Sequence, residues 1–176
     1  MKTFKLFIAF TVLGFIGVNA QQNVVKVNPL GLIFGSAELG YERVLTENSS
    51  VELSLAYSRS DVGFSTGEEK ATGIGIEGKY KYYFSSSKNA PKGFYAAPVL
   101  TYASSKAESG NLEGKLSYVA GGVLGGYQWV FGTGSGFSLD VNAGLQYVSA
   151  SVSGDVLSSS IDGLLPRIGI GFGYAW

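Results

Sequence analysis

The chain has 176 residues, with 13 basic and 13 acidic residues, no histidine and no cysteine. Charged residues make up only 15 % of the chain, against about 25 % in a typical soluble domain, whereas 14 % are aromatic and 26 residues are glycine. The missing cysteines exclude disulfides, thiolate nucleophiles and iron–sulfur sites, and the missing histidines exclude Ser-His-Asp triads and imidazole metal ligands. The length fits a single domain.

The first twenty residues have the layout of a secretory signal peptide. Lys2 and Lys5 precede a thirteen-residue apolar run from Leu6 to Val18, and small residues at Val18 and Ala20 flank a predicted cleavage site after Ala20. A membrane-spanning helix needs about 20 residues, so a retained anchor is the weaker alternative. We expect residues 21–176 to form the exported domain, whose net charge of −2 (11 basic against 13 acidic residues) offers no basic face for nucleic acid.

The exported domain alternates between apolar and small or polar residues with a period of two. In the last stretch every second residue is apolar or aromatic: Leu164, Pro166, Ile168, Ile170, Phe172, Tyr174 and Trp176. Stretches that begin near Val51, Thr72 and Phe137 repeat the pattern. Because successive side chains of a strand point to opposite faces, each of these strands has one apolar face.

The alternation predicts eight strands, at residues 23–33, 37–45, 51–60, 72–84, 93–105, 116–131, 137–152 and 164–176. The first connection, around Gly35, is predicted to be very tight, and residues 46–50, 85–92 and 132–136 to be short turns. Longer loops of about ten residues are predicted at 61–71, 106–115 and 153–163, with Phe64 as their one large exposed aromatic residue.

The position of the aromatic residues indicates which face meets lipid. One predicted girdle lies beside the short turns and the last residue: Tyr80, Tyr82, Phe84, Phe94, Trp129, Phe131, Phe137, Tyr174 and Trp176. A smaller band near the longer loops contains Tyr57, Tyr102 and Tyr147. Two such bands are typical of transmembrane barrels, which turn their apolar face outward. We therefore expect an all-β fold, an eight-stranded antiparallel up-and-down transmembrane β-barrel; a soluble ligand-binding barrel with its apolar face inside is the alternative.

Two segments resemble a known class of proteins. The whole exported domain resembles the small eight-stranded outer-membrane barrels of the OmpA/OmpX type. Val24–Leu30 with Leu39–Arg43 resembles the first hairpin of an uncharacterised Gram-negative outer-membrane β-barrel domain family, and the terminal Ile168–Trp176 is similar to the C-terminal insertion signal of the class. Ile170, Phe172, Tyr174 and Trp176 resemble the insertion signal of that class, which more often ends in Phe. The resemblance implies insertion by the outer-membrane assembly machinery. We also expect location in the cell outer membrane, contact with outer-membrane lipid and a monomeric state.

The strand positions that alternate with the apolar residues point to the predicted lumen and carry five acids and four bases. The predicted lumen set is Lys26, Asn28, Glu38, Glu42, Glu52, Glu77, Lys79, Lys81, Asp140, Asn142, Gln146 and Arg167. An eight-stranded barrel is just wide enough for side chains to fill it, and buried charges must pair. We expect a plug of ion pairs; a narrow ion path through Glu77, Lys79, Lys81 and Arg167 is the alternative.

No pattern in the sequence carries recognisable catalytic or cofactor chemistry. Glu38 and Glu42 could serve as paired acids, but no cleft is evident. Residues 73–78 match G-x-G-x-x-G yet continue directly into a strand, which excludes the dinucleotide-binding context. The acids Glu68, Glu69, Asp155 and Asp162 are too scattered to indicate a metal site.

The sequence therefore predicts no enzyme, no cofactor and no metal. We expect a structural or surface-interaction role with an unidentified extracellular partner. A small pore for ions or small solutes is the second hypothesis, and a soluble secreted barrel is the third.

Overall fold

The computed structural model describes residues 22–33, 35–62, 69–84, 89–109, 112–154 and 158–176, so the predicted signal peptide 1–20 lies outside the described residues. The strands are β1 Asn23–Val27, β2 Ser36–Thr46, β3 Ser49–Val62, β4 Glu69–Tyr83, β5 Gly93–Ser109, β6 Leu112–Phe131, β7 Gly136–Gly154 and β8 Ser158–Ala175. Each strand pairs antiparallel with the next, and β8 pairs with β1 to close the ring. The predicted all-β, eight-stranded, up-and-down barrel is confirmed.

The faces of the barrel have opposite polarity. Apolar side chains point outward, such as Ile168 at 77 % exposure and Ile74 at 67 %, whereas Lys81 and Glu42 point inward and are completely buried. The period of two in the sequence thus separates an apolar outer surface from a charged interior. Within the described part of the chain, no helix is both long and apolar enough to cross a membrane.

The predicted first strand, residues 23–33, is wrong beyond Val27. The helix α1, Pro29–Ile33, follows β1, so the predicted tight connection around Gly35 is wrong as well. Asn28 Oδ1 accepts a hydrogen bond of 3.0 Å from the Leu30 amide, and Pro29 occupies the first helical position. An Asn cap followed by Pro is a favourable helix start, and it overrides the strand pattern here.

The prediction of three loops of about ten residues is also wrong. The β5–β6 ladder continues to the pair Ser109 and Leu112, and the β7–β8 ladder continues to Ser153 and Ser158. Polar pairs such as Lys106 with Lys115 extend these ladders. The strands are therefore longer than the alternating apolar pattern from which they were predicted. Among the loop residues singled out above, Phe64, Glu68 and Asp155 lie outside the described residues.

The barrel closes through a short seam. Four residues of β1, Val24–Val27, pair with Phe172–Ala175 of β8, and Asn23 and Trp176 exchange two backbone hydrogen bonds of 3.0 Å. Residues 158–171 of β8 pair with β7 but with no other strand among the described residues. The helix α1 lies beside β2 and β8, where a longer β1 would have continued.

Candidate functional site in the barrel interior

Two lysines share three carboxylates at the centre of the barrel. Lys26 Nζ lies 2.5 Å from Glu42 Oε2, 2.7 Å from Glu52 Oε2 and 2.8 Å from Asp140 Oδ2. Lys81 Nζ lies 3.3, 2.7 and 2.5 Å from the same three oxygens. All five side chains are at most 5 % exposed. At this depth an ion pair needs such close partners, because desolvating an unpaired charge costs several kcal/mol.

A second group of charges continues the network toward β8. Lys79 Nζ bridges Glu52 Oε1 at 2.8 Å and Glu77 Oε1 at 3.0 Å. Arg167 binds Glu77 with both terminal nitrogens, at 2.6 and 2.8 Å, in the fork geometry that guanidinium and carboxylate favour. Thr101 donates a further bond of 2.7 Å to Glu77 Oε2. Both oxygens of Glu77 are therefore occupied.

Two buried tyrosines complete the coordination of the central carboxylates. Tyr83 donates a hydrogen bond of 2.7 Å to Glu42 Oε1, and Tyr95 donates one of 2.6 Å to Asp140 Oδ1. Their rings lie 5.4 Å apart, and Lys81 Nζ lies 4.6 Å from the centre of the Tyr95 ring. Each tyrosine thus places an aromatic ring beside the charged groups and donates a hydrogen bond to a central carboxylate.

Sequence reasoning missed both tyrosines, and it also missed Gln128. The amide oxygen of Gln128 accepts bonds of 2.8 Å from Lys26 and 3.0 Å from Lys81. The alternation along each strand could have placed these three residues inside, because each lies between outward-facing aromatic or small residues. Tyr83, for example, lies between Tyr82 and Phe84. Attention to charge alone left these neutral donors and acceptors out.

The network is electrically balanced and involves every strand. Four acids, Glu42, Glu52, Glu77 and Asp140, meet four bases, Lys26, Lys79, Lys81 and Arg167. These eight side chains together with Tyr95 and Gln128 come from all eight strands of the barrel. The arrangement ties opposite walls of the ring to one another.

The geometry of the carboxylate trio suits ammonium groups rather than a metal ion. Oxygens of Glu42, Glu52 and Asp140 lie within 4.8 Å of one another, which is the spacing of a cation site. The ammonium groups of Lys26 and Lys81 already contact these same oxygens and supply the positive charge that a metal would bring.

A cavity of about 430 Å³ lies above the network, toward the start of β2 and the end of β3. Glu77 and Arg167 contribute to its lining where it meets the network, and Glu38, Tyr118 and Gln146 line its sides. Small inward-facing residues create the space: Ser54, Ala56, Ser58, Gly73, Gly75, Ala103 and Ser105. A much smaller cavity, about 30 Å³, lies beside Lys26, Asn28, Glu38 and Asn142.

The glycines of the G-x-G-x-x-G match belong to this wall and to no nucleotide site. Gly73 and Gly75 lie within β4 and line the cavity, and the chain continues as strand to Tyr83. A Cβ atom at Gly73 would lie 2.6 Å from Ser58 Oγ, so the close approach of neighbouring strands explains the glycine.

Glu38 and Glu42 lie in different surroundings, although both point into the barrel. Glu42 is enclosed by Lys26, Lys81 and Tyr83, whereas Glu38 is half-buried at the cavity and accepts a bond of 2.8 Å from Asn28 Nδ2. Asn28 belongs to the helix cap rather than to a strand. Among the inward-facing carboxylates whose side chains the structure describes, Glu38 is the one without an ion pair.

The remaining predicted residues divide between the two faces. Asn142 is 8 % exposed beside Asp140, and Gln146 Oε1 accepts a long bond of 3.4 Å from Arg167. The girdle residues are 39–67 % exposed on the outside, except that Trp176 is half-buried. On that outer face of β8, Ile170 and Phe172 are half-buried and Tyr174 is exposed.

Comparison with known protein families identifies a matching family. A family whose description reads "Protein of unknown function (DUF3575)" matches residues 6–154. The match starts within the predicted signal peptide and ends at the last residue of β7. No curated protein matches the chain.

Proposed function

The chain belongs to the DUF3575 family of proteins of unknown function, and we propose that it is an integral outer-membrane β-barrel whose interior is closed by the ion-pair network. In this proposal the barrel has a structural or surface-interaction role and no catalytic activity. The resemblance of its first and last strands to OmpA/OmpX-type barrels and the signal-peptide layout of residues 1–20 support this location and the monomeric state.

The reversed polarity of the barrel is the observation that carries the proposal. Large apolar side chains cover the outside, including Ile168, Phe94 and Leu100 at 77, 67 and 64 % exposure. A soluble monomer rarely exposes a contiguous apolar patch of more than a few hundred Å², whereas in a bilayer such a surface is wetted by hydrocarbon. A soluble ligand-binding barrel would need these side chains inside, where the ion-pair network lies.

The spacing of the aromatic bands also supports contact between the outer face and a lipid bilayer. On β7, Phe137 and Tyr147 both point outward, at 47 and 55 % exposure, and mark the two bands. At about 3.4 Å per residue and a tilt of about 40°, the ten-residue separation corresponds to a height of about 26 Å. The apolar band of outer-membrane barrels is about 25 Å tall.

The ion-pair network favours a closed interior over a pore. The side chains of Lys81, Glu42 and Tyr83 have no solvent exposure, and the other central carboxylates are at most 5 % exposed. Conduction needs a continuous polar path that ions can enter and leave, and here fixed ammonium and carboxylate groups fill that path. The cavity above the network therefore ends in ion pairs.

Cell fractionation tests the location. We expect the protein in the outer-membrane fraction, released only by detergent, with a gel mobility that changes on boiling because a folded barrel resists detergent. Recovery of folded protein from the periplasmic fluid without detergent would contradict the proposal.

Planar-bilayer recording tests the closed interior. The purified protein should add no discrete current steps at moderate voltage and salt. Regular single-channel steps that change in size when Arg167 is replaced by Ala would instead favour the small pore. A detergent-only mock preparation is the matched control.

A further inference from the structure

We infer that the cavity above the ion-pair network binds a small hydroxylated primary amine, of the amino-sugar or amino-alcohol class, through the carboxylate of Glu38. This inference goes beyond the proposed structural role and does not depend on where the barrel resides. It follows from the charges, the free hydrogen-bonding groups and the size of the cavity.

The charges that line the cavity favour a cation. Glu77 and Arg167 neutralise each other through two bonds of 2.6 and 2.8 Å, so the guanidinium is not available to an anion. Glu38 makes no ion pair with a described side chain; Arg167 is near enough to attract it electrostatically but makes its direct contacts with Glu77. A half-buried carboxylate without a direct ion pair is a natural site for a cationic ligand.

The contact with Asn28 favours an ammonium over a guanidinium group. Asn28 Nδ2 donates to Glu38 Oε2 at 2.8 Å, which leaves Oε1 as the free acceptor. A guanidinium binds best when both carboxylate oxygens are free for its fork, whereas an ammonium is a point charge that needs only one.

The walls favour a ligand with hydroxyl groups. Ser54, Ser58 and Ser105 line the cavity and supply hydroxyl groups that can donate and accept hydrogen bonds. Tyr118 lines the cavity as well and offers an aromatic ring to a sugar ring. A volume of about 430 Å³ is within the range of small-molecule sites, about 300–1,000 Å³.

A titration with glucosamine tests the inference, and glucose serves as the neutral control of the same shape. Folded full-length protein in non-ionic detergent is titrated while the side-chain amide resonance of Asn28 is followed by NMR. We expect saturable shifts with glucosamine and an affinity for glucose weaker by about tenfold, the effect of losing one partly buried ion pair. Equal affinity for the two sugars would overturn the inference.

Two variants separate the roles of charge and hydroxyl groups. Glu38→Gln keeps an acceptor for Asn28 and should abolish the preference for glucosamine over glucose, whereas Glu47→Gln, in the exposed β2–β3 turn, should leave it unchanged. Ser58→Ala should weaken glucosamine binding while preserving that preference. If cyclohexylamine, a six-membered primary amine without hydroxyl groups, binds as tightly as glucosamine, the assignment of a hydroxylated ligand is wrong.

Discussion

Lys26 on β1 and Lys81 on β4 donate to one and the same carboxylate oxygen, Asp140 Oδ2, at 2.8 and 2.5 Å. Two ammonium groups on one oxygen would repel each other in isolation, but Glu42 and Glu52 lie within reach of both. The five charges therefore act as one unit that ties five strands together across the lumen. Removing any member leaves its partners buried with an altered charge balance.

Lys81→Met tests the energetic weight of this unit. The variant leaves the buried carboxylates of Glu42 and Asp140 with Lys26 as their one ammonium partner among the described residues, so we expect the free energy of unfolding in lipid vesicles to fall by about 3–5 kcal/mol. Urea titration of the folded barrel measures this loss. Lys115→Met, at an exposed lysine of β6, is the matched control and should change stability by less than about 0.5 kcal/mol. Equal effects of the two variants would show that the central lysine contributes no special stability.

The two buried tyrosines should differ in their contribution to stability. Tyr83→Phe leaves Glu42 Oε1 with a second donor, Ser50 Oγ at 2.5 Å. Tyr95→Phe leaves Asp140 Oδ1 with only a marginal contact of 3.5 Å from Asn142. An unsatisfied buried acceptor costs about 1–3 kcal/mol.

Tyr95→Phe should therefore lower the free energy of unfolding by about 1–3 kcal/mol, and Tyr83→Phe by less. Chemical unfolding of both variants side by side measures the difference. The reverse order of stabilities would contradict the hydrogen-bond assignment.

Adjacent glycines of β6 should respond oppositely to alanine. A Cβ atom at inward-facing Gly126 would lie 2.5 Å from Tyr95 Cζ and displace the ring from Asp140, whereas Gly125 faces outward with no atom within 4 Å. Gly126→Ala should destabilise the barrel by about 1–3 kcal/mol through overpacking. Gly125→Ala should be neutral or stabilising by about 0.5 kcal/mol, because it removes backbone freedom from the unfolded chain. The denaturant midpoints of the two variants measure the difference. A similar loss of stability in both would contradict the assigned orientation of the β6 side chains.

The long free edge of β8 should be visible in hydrogen exchange. Between residues 158 and 171, alternate amides face β7 and are paired, while the others face the β1 side, where β1 ends at Val27. We expect NMR-detected exchange to alternate in this stretch, with the unpaired amides exchanging faster. The amides of β6, which has strand partners on both sides, provide the internal control. Uniform protection along β8 would indicate a partner for this edge.

The parts of the fold that follow an apolar period of two could be predicted from sequence, and the parts governed by other forces could not. The alternation around Ile168 and Leu139 identified strands and faces because one face of each strand is uniformly apolar. The ladder from Lys106 to Ser109 carries no such pattern, because backbone pairing continues where the outer face no longer needs apolar residues. The helix at Pro29 depends on a local cap that competes with the alternation.

The interior shows the same division. Parity placed Lys26, Glu42 and Asp140 on one face, but it could not reveal that Lys26 and Lys81 share the same oxygens. That contact depends on the closure and stagger of the barrel, which bring residues more than a hundred positions apart into register. Gln128 was missed because a neutral amide gives no charge signal, although it contacts both lysines.

Site-directed spin labelling tests most directly the central claim that hydrocarbon wets the outer face. The chain has no cysteine, so Ile168→Cys on the outer face and Ser58→Cys at the cavity each give one labelling site. In lipid vesicles, we predict that the label at position 168 is accessible to dissolved oxygen and shielded from a water-soluble nickel chelate, and that the label at position 58 shows the reverse. A label at position 168 that is relaxed strongly by the nickel chelate would contradict the account.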